Sequence, residues 1–540
     1  MNARLDAHPR AREAAAPLNG PVPVSRHAVA HFHAFRAESL ARPGHDGRLN
    51  GHRFALVREQ VLSSEGPTMR RASARTIACT VASTAVLSAI GVASSSHADW
   101  SNLGGNAGRN GLTTAIGPET PSLRWSGAPE SLISWTPIVE GNRVFAIRQS
   151  VAENPVVGPG DSVLHAMNLT TGEALWSYDF PWEPGDWTTV LYGAKNGRVY
   201  AGRADDGSVY TSAIHCIDAA TGKLLWISSC SDCAPGLYDG AVFAADGDLI
   251  VAAGQWVKRI DSETGELLWS AARLCSVTNS CGPTLVGNAI YIDEAFQAAQ
   301  RITRIDATTG ARLHSSPSVP AFITQTKPFA GSNGIVFYPV YTGAGPTQDR
   351  LYAFRDTGTA FQLLWSQPCT TFQGEHAITN DGGVILMNPE GRLEIRDQVT
   401  SALRFVSTEV VAAAPIALTM PHIAVDGQGK IFYGNGGFPG KIFSFNPDLT
   451  LRWSIDVPNL NQGGPVLAAN GTLLVAGVGN DFRAYYAPPC VAADLNCDGS
   501  VNAQDLAALL GAWGGTGTGD LNGDGSVGAQ DLAILLSAWG

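Results

Sequence analysis

Ile217-Asp218-Ala219-Ala220-Thr221-Gly222-Lys223-Leu224-Leu225-Trp226 is followed 43 residues later by Ile260-Asp261-Ser262-Glu263-Thr264-Gly265-Glu266-Leu267-Leu268-Trp269. A third copy, Leu164 to Trp176, carries Asn168, Thr171 and Gly172, and a fourth, Ile305 to His314, carries Asp306, Thr309 and Gly310. Weaker copies end at Trp365, Phe405 and Trp453, and an isolated closing strand, Leu123-Arg124-Trp125, stands upstream. Each residue type has a mechanical reason. Asp or Asn opens a turn by accepting backbone N–H groups two residues on. Gly supplies positive φ in the hairpin. The apolar run starts an outer strand, and the Trp wedges between neighbours. His314 and Phe405 take two of the Trp slots, where simple packing is expected.

The eight slots lie 40 to 51 residues apart, the length of one four-stranded propeller blade. A second hairpin precedes each motif, as at Gly141-Asn142, Asp246-Gly247, Gly287-Asn288 and Asn470-Gly471. The fold expected is mainly β, an eight-bladed propeller over residues 99–487. Blades should begin near Pro137, Thr189, Gly240, Pro283, Pro328, Ala377, Pro421 and Pro465. The eighth lacks its own Trp strand, so Leu123–Trp125 should complete it and remove the open edge.

The pattern resembles the pyrrolo-quinoline quinone (PQQ)-like repeat family, and Trp100 to Arg109 looks like the segment that opens many of those propellers. The resemblance covers about 390 residues and is informative for fold more than for function. It implies either a quinone-dependent dehydrogenase or a non-catalytic scaffold of the outer-membrane assembly kind. Quinone dehydrogenases of this fold often carry two adjacent cysteines beside the cofactor. None occurs here, which argues against bound PQQ.

The second repeat is shorter. Asp494 to Gly514 and Asp520 to Gly540 match at 17 of 21 positions. Each opens with DxNxDG and runs into a short apolar helix. Calcium takes six to eight oxygens, and loop positions 1, 3, 5, 7, 9 and 12 supply them: Asp494, Asn496, Asp498, the Ser500 carbonyl, Asn502 and Asp505, then Asp520, Asn522, Asp524, the Ser526 carbonyl, a water near Gly528, and Asp531. Gly499 and Gly525 fill position 6, at the sharp turn. Residues 490–540 contain six Asp and no Lys or Arg, so folding should be linked to two calcium ions. Leu506, Leu509, Leu510 and Trp513, and in the second copy Leu532, Leu535, Leu536 and Trp539, are expected to form one packed helical face. Residues 488–540 resemble type I dockerins, which implies docking to a cohesin on a scaffold or cell surface. The positions that contribute to recognition in that family are Ala503-Gln504 and Ala529-Gln530, identical in the two copies and unlike its common Ser/Thr pair.

At the other end, Met69-Arg70-Arg71, an apolar run from Thr76 to Ala93 and Ser96-His97-Ala98 form a secretory signal over 69–98. A membrane anchor is the alternative, against which the run is short and rich in Ser and Thr. Residues 1–68 are Arg- and His-rich and are expected to be untranslated or disordered, with translation starting at Met69. Residues 1–98 carry a net +6 and the whole chain −11, leaving −17 after Ala98, a poor match for nucleic acid.

Of the eight cysteines after Ala98, close spacing suggests Cys230–Cys233, Cys275–Cys281 and Cys490–Cys497, with Cys216 and Cys369 left to pair. The aromatic loop Phe180 to Trp187 holds Glu183 and Asp186 between Trp182 and Trp187, which are able to stack a sugar; inter-blade packing is the simpler reading. No nucleotide loop, HExxH or GxSxG occurs. These observations point to an exported, non-catalytic binding or scaffold propeller with no transmembrane helix in its mature chain. It would be secreted, extracellular or at the cell surface, with the periplasm as the alternative, and would carry a glycan or protein ligand and a calcium-dependent attachment module. The alternative is an extracellular enzyme, either polysaccharide-degrading or a quinone-dependent dehydrogenase.

Overall fold

The computed structural model describes residues 100–540 apart from 132–134, 150–161, 181–188, 204–212, 231–232, 234–239, 275–281, 297–298, 321–326, 341–348, 371–375, 413–421, 438, 459, 461–462, 487–490, 496–500, 518 and 540. The signal segment, the aromatic loop after Phe180 and the pairs Cys275–Cys281 and Cys490–Cys497 therefore lie outside the described residues.

Eight antiparallel sheets form the eight blades, seven of them built from strands consecutive in sequence. Blade 1 comprises Ile138–Glu140, Arg143–Gln149, Ser162–Asn168 and Ala174–Phe180. Blades 2 to 7 open with Thr189–Lys195, Val242–Phe243, Thr284–Val286, Phe329–Ala330, Ala377–Ile378 and His422–Val425. Each start falls within two residues of its expected position. Blade 8 combines Val466–Leu467, Leu473–Ala476 and Phe482–Tyr485 with Leu123–Ser126, which pairs Trp125 opposite Ala484. The ring is thus closed by the two ends of the propeller segment.

Burial grades across each blade. Inner strands such as Val242–Phe243 and Val466–Leu467 are wholly buried, whereas the outermost Leu224–Ile227 and Leu267–Ala272 are largely exposed. The apolar cores run between neighbouring blades, as where Phe145 and Leu164 of blade 1 meet Leu191 and Val199 of blade 2.

The repeated motif is a latch. Asp261 Oδ1 accepts the Glu263 and Thr264 N–H groups at 2.9 and 2.8 Å and the Thr264 hydroxyl at 2.9 Å. Asp218, Asp306 and Asp397 make the same turn. Five of the six closing Trp residues then donate their indole N–H to a turn carbonyl of the next blade, Trp125 to Leu169, Trp176 to Ala219, Trp226 to Ser262, Trp269 to Ala307 and Trp365 to Gln398, at 2.9–3.2 Å, while Trp453 donates to the Glu119 carbonyl, ahead of the closing strand, at 3.0 Å. Gly265, at φ +76°, lies beneath Trp226, where a Cβ would stand 2.5 Å from Cε3. The glycine serves both the turn and the stacked indole.

The two odd slots depart from the expected simple packing. His314 meets the Asp356 carboxylate at 3.0 Å, and that same carboxylate accepts Tyr291 and Arg304 at 2.8 and 2.9 Å. A polar latch replaces the indole there because the imidazole reaches a side chain rather than a carbonyl. Phe405 has no donor and stands 40 % exposed.

Residues 100–117 form a strap across one end of the ring. Its carbonyls accept inner-strand N–H groups in blade order: Trp100 from Val139, Ser101 from Ala194, Ala107 from Leu285, Gly108 from Ala330, Asn110 from Ile378 and Gly111 from Val425. Asn102 supplies the link to blade 3 by donating to the Ala241 carbonyl. Arg109 is fully buried and bonds the Pro283, Leu103 and Gly240 carbonyls at 2.7–3.0 Å.

The tail contains two helices, α1 (Ala503–Gly511) and α2 (Ala529–Ser537). Leu509 and Leu535 join Ala493, Val501 and Val527 in its core, with Leu506 and Leu532 against them. The expected helical face is only half formed. Leu510 and Trp513 are 51 % and 48 % exposed, and Leu536 and Trp539 51 % and 45 %. Helices of nine residues bury one narrow stripe, here Asp505 with Leu509 and Asp531 with Leu535, four residues apart.

Cys230 and Cys233 are disulfide-bonded as expected. The Cys216–Cys369 pairing is not formed. The two are buried thiols in different core clusters, Cys216 beside blades 2 and 3 and Cys369 beside blades 5 and 6.

Candidate functional site

The second tail loop can be followed through every predicted ligand. Asp520 Oδ1 accepts the Asp524 N–H at 3.1 Å and its Oδ2 the Gly525 N–H at 2.8 Å. Asn522 Oδ1 accepts the Asp524 N–H at 2.9 Å, and Asp524 Oδ1 accepts the Ser526 N–H at 3.0 Å. Asp531, at the start of α2, reaches back over the loop. Its Oδ1 takes the Leu521 and Asn522 N–H groups at 2.7 and 3.0 Å, and its Oδ2 takes Gly528 at 2.7 Å. These bonds, Gly528 first, hold the Asp531 carboxyl below the usual carboxylate range, and the Asn522 amide does the same for Asp524. The turn brings three carboxylates and an amide oxygen into twelve residues of chain. That all-oxygen donor set suits a hard cation.

In the first loop Asp494 and Asp505 are buried, and Asn502 caps α1 by accepting the Gln504 N–H while Asp505 takes the Asn502 N–H at 2.8 Å. Asn496, Asp498 and Ser500 lie outside the described residues. Among the described residues no three Asp, Glu, His or Cys side chains close on one centre. Any cation here would therefore draw on the amide and carbonyl oxygens as well.

The propeller holds two polar groupings that sequence reasoning missed. On the second strand of blade 4, Glu294 accepts Arg312 at 2.5 Å, Arg301 at 2.9 Å, Thr303 at 2.7 Å and the Leu274 N–H at 2.8 Å. Burial alone would raise its carboxyl, but the Arg312, Thr303 and Leu274 bonds keep it below the ordinary value. Asp293 pairs with Arg273, both fully enclosed. Two adjacent acids in an otherwise apolar strand, Ala289–Phe296, were the available signal. With every oxygen engaged and no solvent access, these carboxylates hold blades 3 and 4 together and are not placed for acid–base catalysis.

The other grouping lies at the starts of the inner strands, where the strap residues Gly108 and Gly111 come against Ala330 and the His376 carbonyl. Thr136 and His422 approach to 3.4 Å, and His376 lies flat on Phe329 with ring centroids 5.0 Å apart. Lys327 is buried nearby in sequence, before the inner strand of blade 5. Such side chains are compatible with an anionic ligand.

Among curated proteins, the chain is 30% identical over 158 residues to the dehydrogenase subunit of the alcohol dehydrogenase (quinone) of Gluconacetobacter polyoxogenes, covering 25% of this chain and 20% of that protein. It is 34% identical over 130 residues to the same-named subunit of Gluconobacter oxydans (strain 621H), covering 20% and 16%. The chain thus spans about a fifth of the length of the curated relatives it matches. Among solved structures, quinohemoprotein alcohol dehydrogenase from Comamonas testosteroni superposes with a TM-score of 0.51 at 11% identity, covering 72% of this chain and 80% of that one. BamB from Moraxella catarrhalis gives 0.46 at 15% identity, covering 65% and 96%. The family model described as outer membrane protein assembly factor BamB matches residues 91–213 and 160–405. Those matches together run from residue 91 to 405, more than half of the chain, which belongs to that family.

Proposed function

We propose that this is an exported binding propeller carried on a calcium-dependent attachment module, with the ions held by Asp494, Asn496, Asp498, Ser500, Asn502 and Asp505 and by Asp520, Asn522, Asp524, Ser526 and Asp531. The observation that carries the reading is the 520–531 loop, in which Asp531 reaches back to the Leu521 and Asn522 N–H groups and so brings the last ligand over the first. Calcium supplies the positive charge that this Asp-rich, Lys- and Arg-free segment lacks. Supporting an attachment role, each half of the tail leaves one Leu and one Trp exposed, Leu510 with Trp513 and Leu536 with Trp539. Duplicated apolar patches of this kind suit a protein module of the cohesin type on a scaffold or cell surface. Calorimetric titration of the chain from residue 99 should show two calcium sites, with Asp505→Asn and Asp531→Asn each removing one. Absence of calcium-dependent heat or structural change would overturn the reading.

A second reading is a quinone-dependent dehydrogenase. It draws more support from the comparisons than a passive scaffold does, since the curated relatives named above are dehydrogenase subunits. The residues described here do not fit the cofactor readily. The flat aromatic surface at the inner-strand starts is already taken by His376 on Phe329, and the chain has no adjacent cysteine pair. No step is derived through a quinone. Incubation with PQQ, calcium, an artificial electron acceptor and a panel of alcohols decides the matter: acceptor reduction abolished by His376→Ala establishes the dehydrogenase, and none leaves the binding propeller.

A further inference from the structure

We infer that Gln530 is a positioning residue of the second tail loop: it holds the Asn522 amide so that its oxygen, and not its nitrogen, faces the cation. The inference rests on the calcium reading of that loop and names a residue outside its donor set.

An amide serves a hard cation only through its oxygen. Asn522 stands exposed on the loop, where an unrestrained side chain turns either way about its last bond. Here both amide hydrogens are engaged. Nδ2 donates to Asp524 Oδ2 at 2.9 Å and to Gln530 Oε1 at 2.8 Å. Reversing the amide would set its oxygen against two others, so the pair of bonds fixes its orientation. Oδ1 is left beside Asp520, since both accept the Asp524 N–H, at 2.9 and 3.1 Å. That shared donor keeps the amide oxygen among the carboxylates.

The two restraints are not equal. Asp524 is itself one of the donors, and a bound ion competes with the amide for its carboxylate. Gln530 is neutral and is not a donor, so its hold persists when the ion enters. It reaches the loop because Gly528 starts α2 and sets Gln530 in the first turn, one residue before Asp531. A side chain beyond the ligands that orients one of them is a recurring part of metal sites. The resemblance to dockerins assigns Ala529-Gln530 to partner recognition; the hydrogen bond to Asn522 gives Gln530 a task within its own loop.

The test uses the chain from residue 99, with propeller and tail intact. It is titrated with calcium by calorimetry and, separately, loaded with europium(III), whose luminescence lifetimes in H2O and D2O count bound waters. The second loop's calcium step is the one that Asp531→Asn removes. Gln530→Met keeps the helix and the side-chain length but offers no strong acceptor. It should weaken that step roughly threefold to tenfold, the worth of one hydrogen bond, and leave the other step unchanged. A water should replace the misdirected amide and raise the europium count by about one over the two ions. Gln530→Glu keeps an acceptor and should return the native count. Weaker binding with unchanged hydration would mark a role in helix stability alone and overturns the inference. So does native affinity in Gln530→Met, or a Gln530→Glu variant as hydrated as Gln530→Met. Each of these leaves the calcium reading intact, whereas a native chain that takes up no calcium overturns both.

Discussion

The blade turns and the tail loops are written in nearly the same residues, Asp, Gly and small hydroxyls, yet they use the carboxylate differently. In the blades each Asp is answered at once by its own turn. Asp261 takes two N–H groups and the Thr264 hydroxyl, and the turn then presents a carbonyl to Trp226 of the preceding blade. In the tail, Asp520, Asp524 and Asp531 crowd into one loop, and residues 490–540 offer no side-chain cation. One Asp per turn makes a structural latch, whereas several Asp per turn concentrate negative charge with no side-chain cation beside it.

The largest effect expected from this contrast is on the tail. Stripping calcium with EGTA should abolish the helical signal of α1 and α2 while the β signal of the blades persists, read by far-UV circular dichroism. Asp531→Asn should reproduce the loss for its own half. A tail that keeps its helices without metal would break the comparison. Next in size is the latch: Trp226→Ala removes a half-buried indole wedged between blades 2 and 3 and should cost about 3 kcal/mol in urea unfolding. Gly265→Ala tests the same junction from below. Positive φ and the 2.5 Å approach to Trp226 should make it destabilising by about 1–3 kcal/mol. A neutral result would show that the indole is free to shift.

The smallest effect concerns the turn carboxylate itself. The Asp261 carboxyl is held below its ordinary value of 3.8, first by the Thr264 N–H; Asp306 is lowered in the same way by Thr309, and Asp218 first by the Thr221 hydroxyl. A lowered carboxyl stabilises the fold above the unfolded value and loses that contribution as pH falls through the folded one. Asp261→Asn should therefore cost only about 0.5–1 kcal/mol at neutral pH, since the group is exposed and screened. The gap from the native chain should shrink below about pH 4. A gap that stays constant down to pH 2 would separate the turn from its charge.

The blade number, their boundaries and the closing strand were legible because each blade repeats one local instruction: a turn residue, a positive-φ glycine and an outer-strand tryptophan within ten residues. The tail loops were legible for the same reason, as two copies in register. His314 was read as mere packing because its partner, Asp356, is 42 residues away in the next blade. The Cys216–Cys369 pairing rested on elimination, which carries no distance, and the ring sets the two in separate cores. Trp513 and Trp539 are exposed because the helices end at Gly511 and Ser537, two residues before each Trp, so neither indole continues the buried stripe.

Local chemistry thus determined the repeat, the turns and the oxygen donors, since those interactions span at most a dozen residues. Tertiary structure alone decided what the strap does. The run from Trp100 to Gly117 has no regular period, and its carbonyls find their donors only when the ring presents each inner strand in turn.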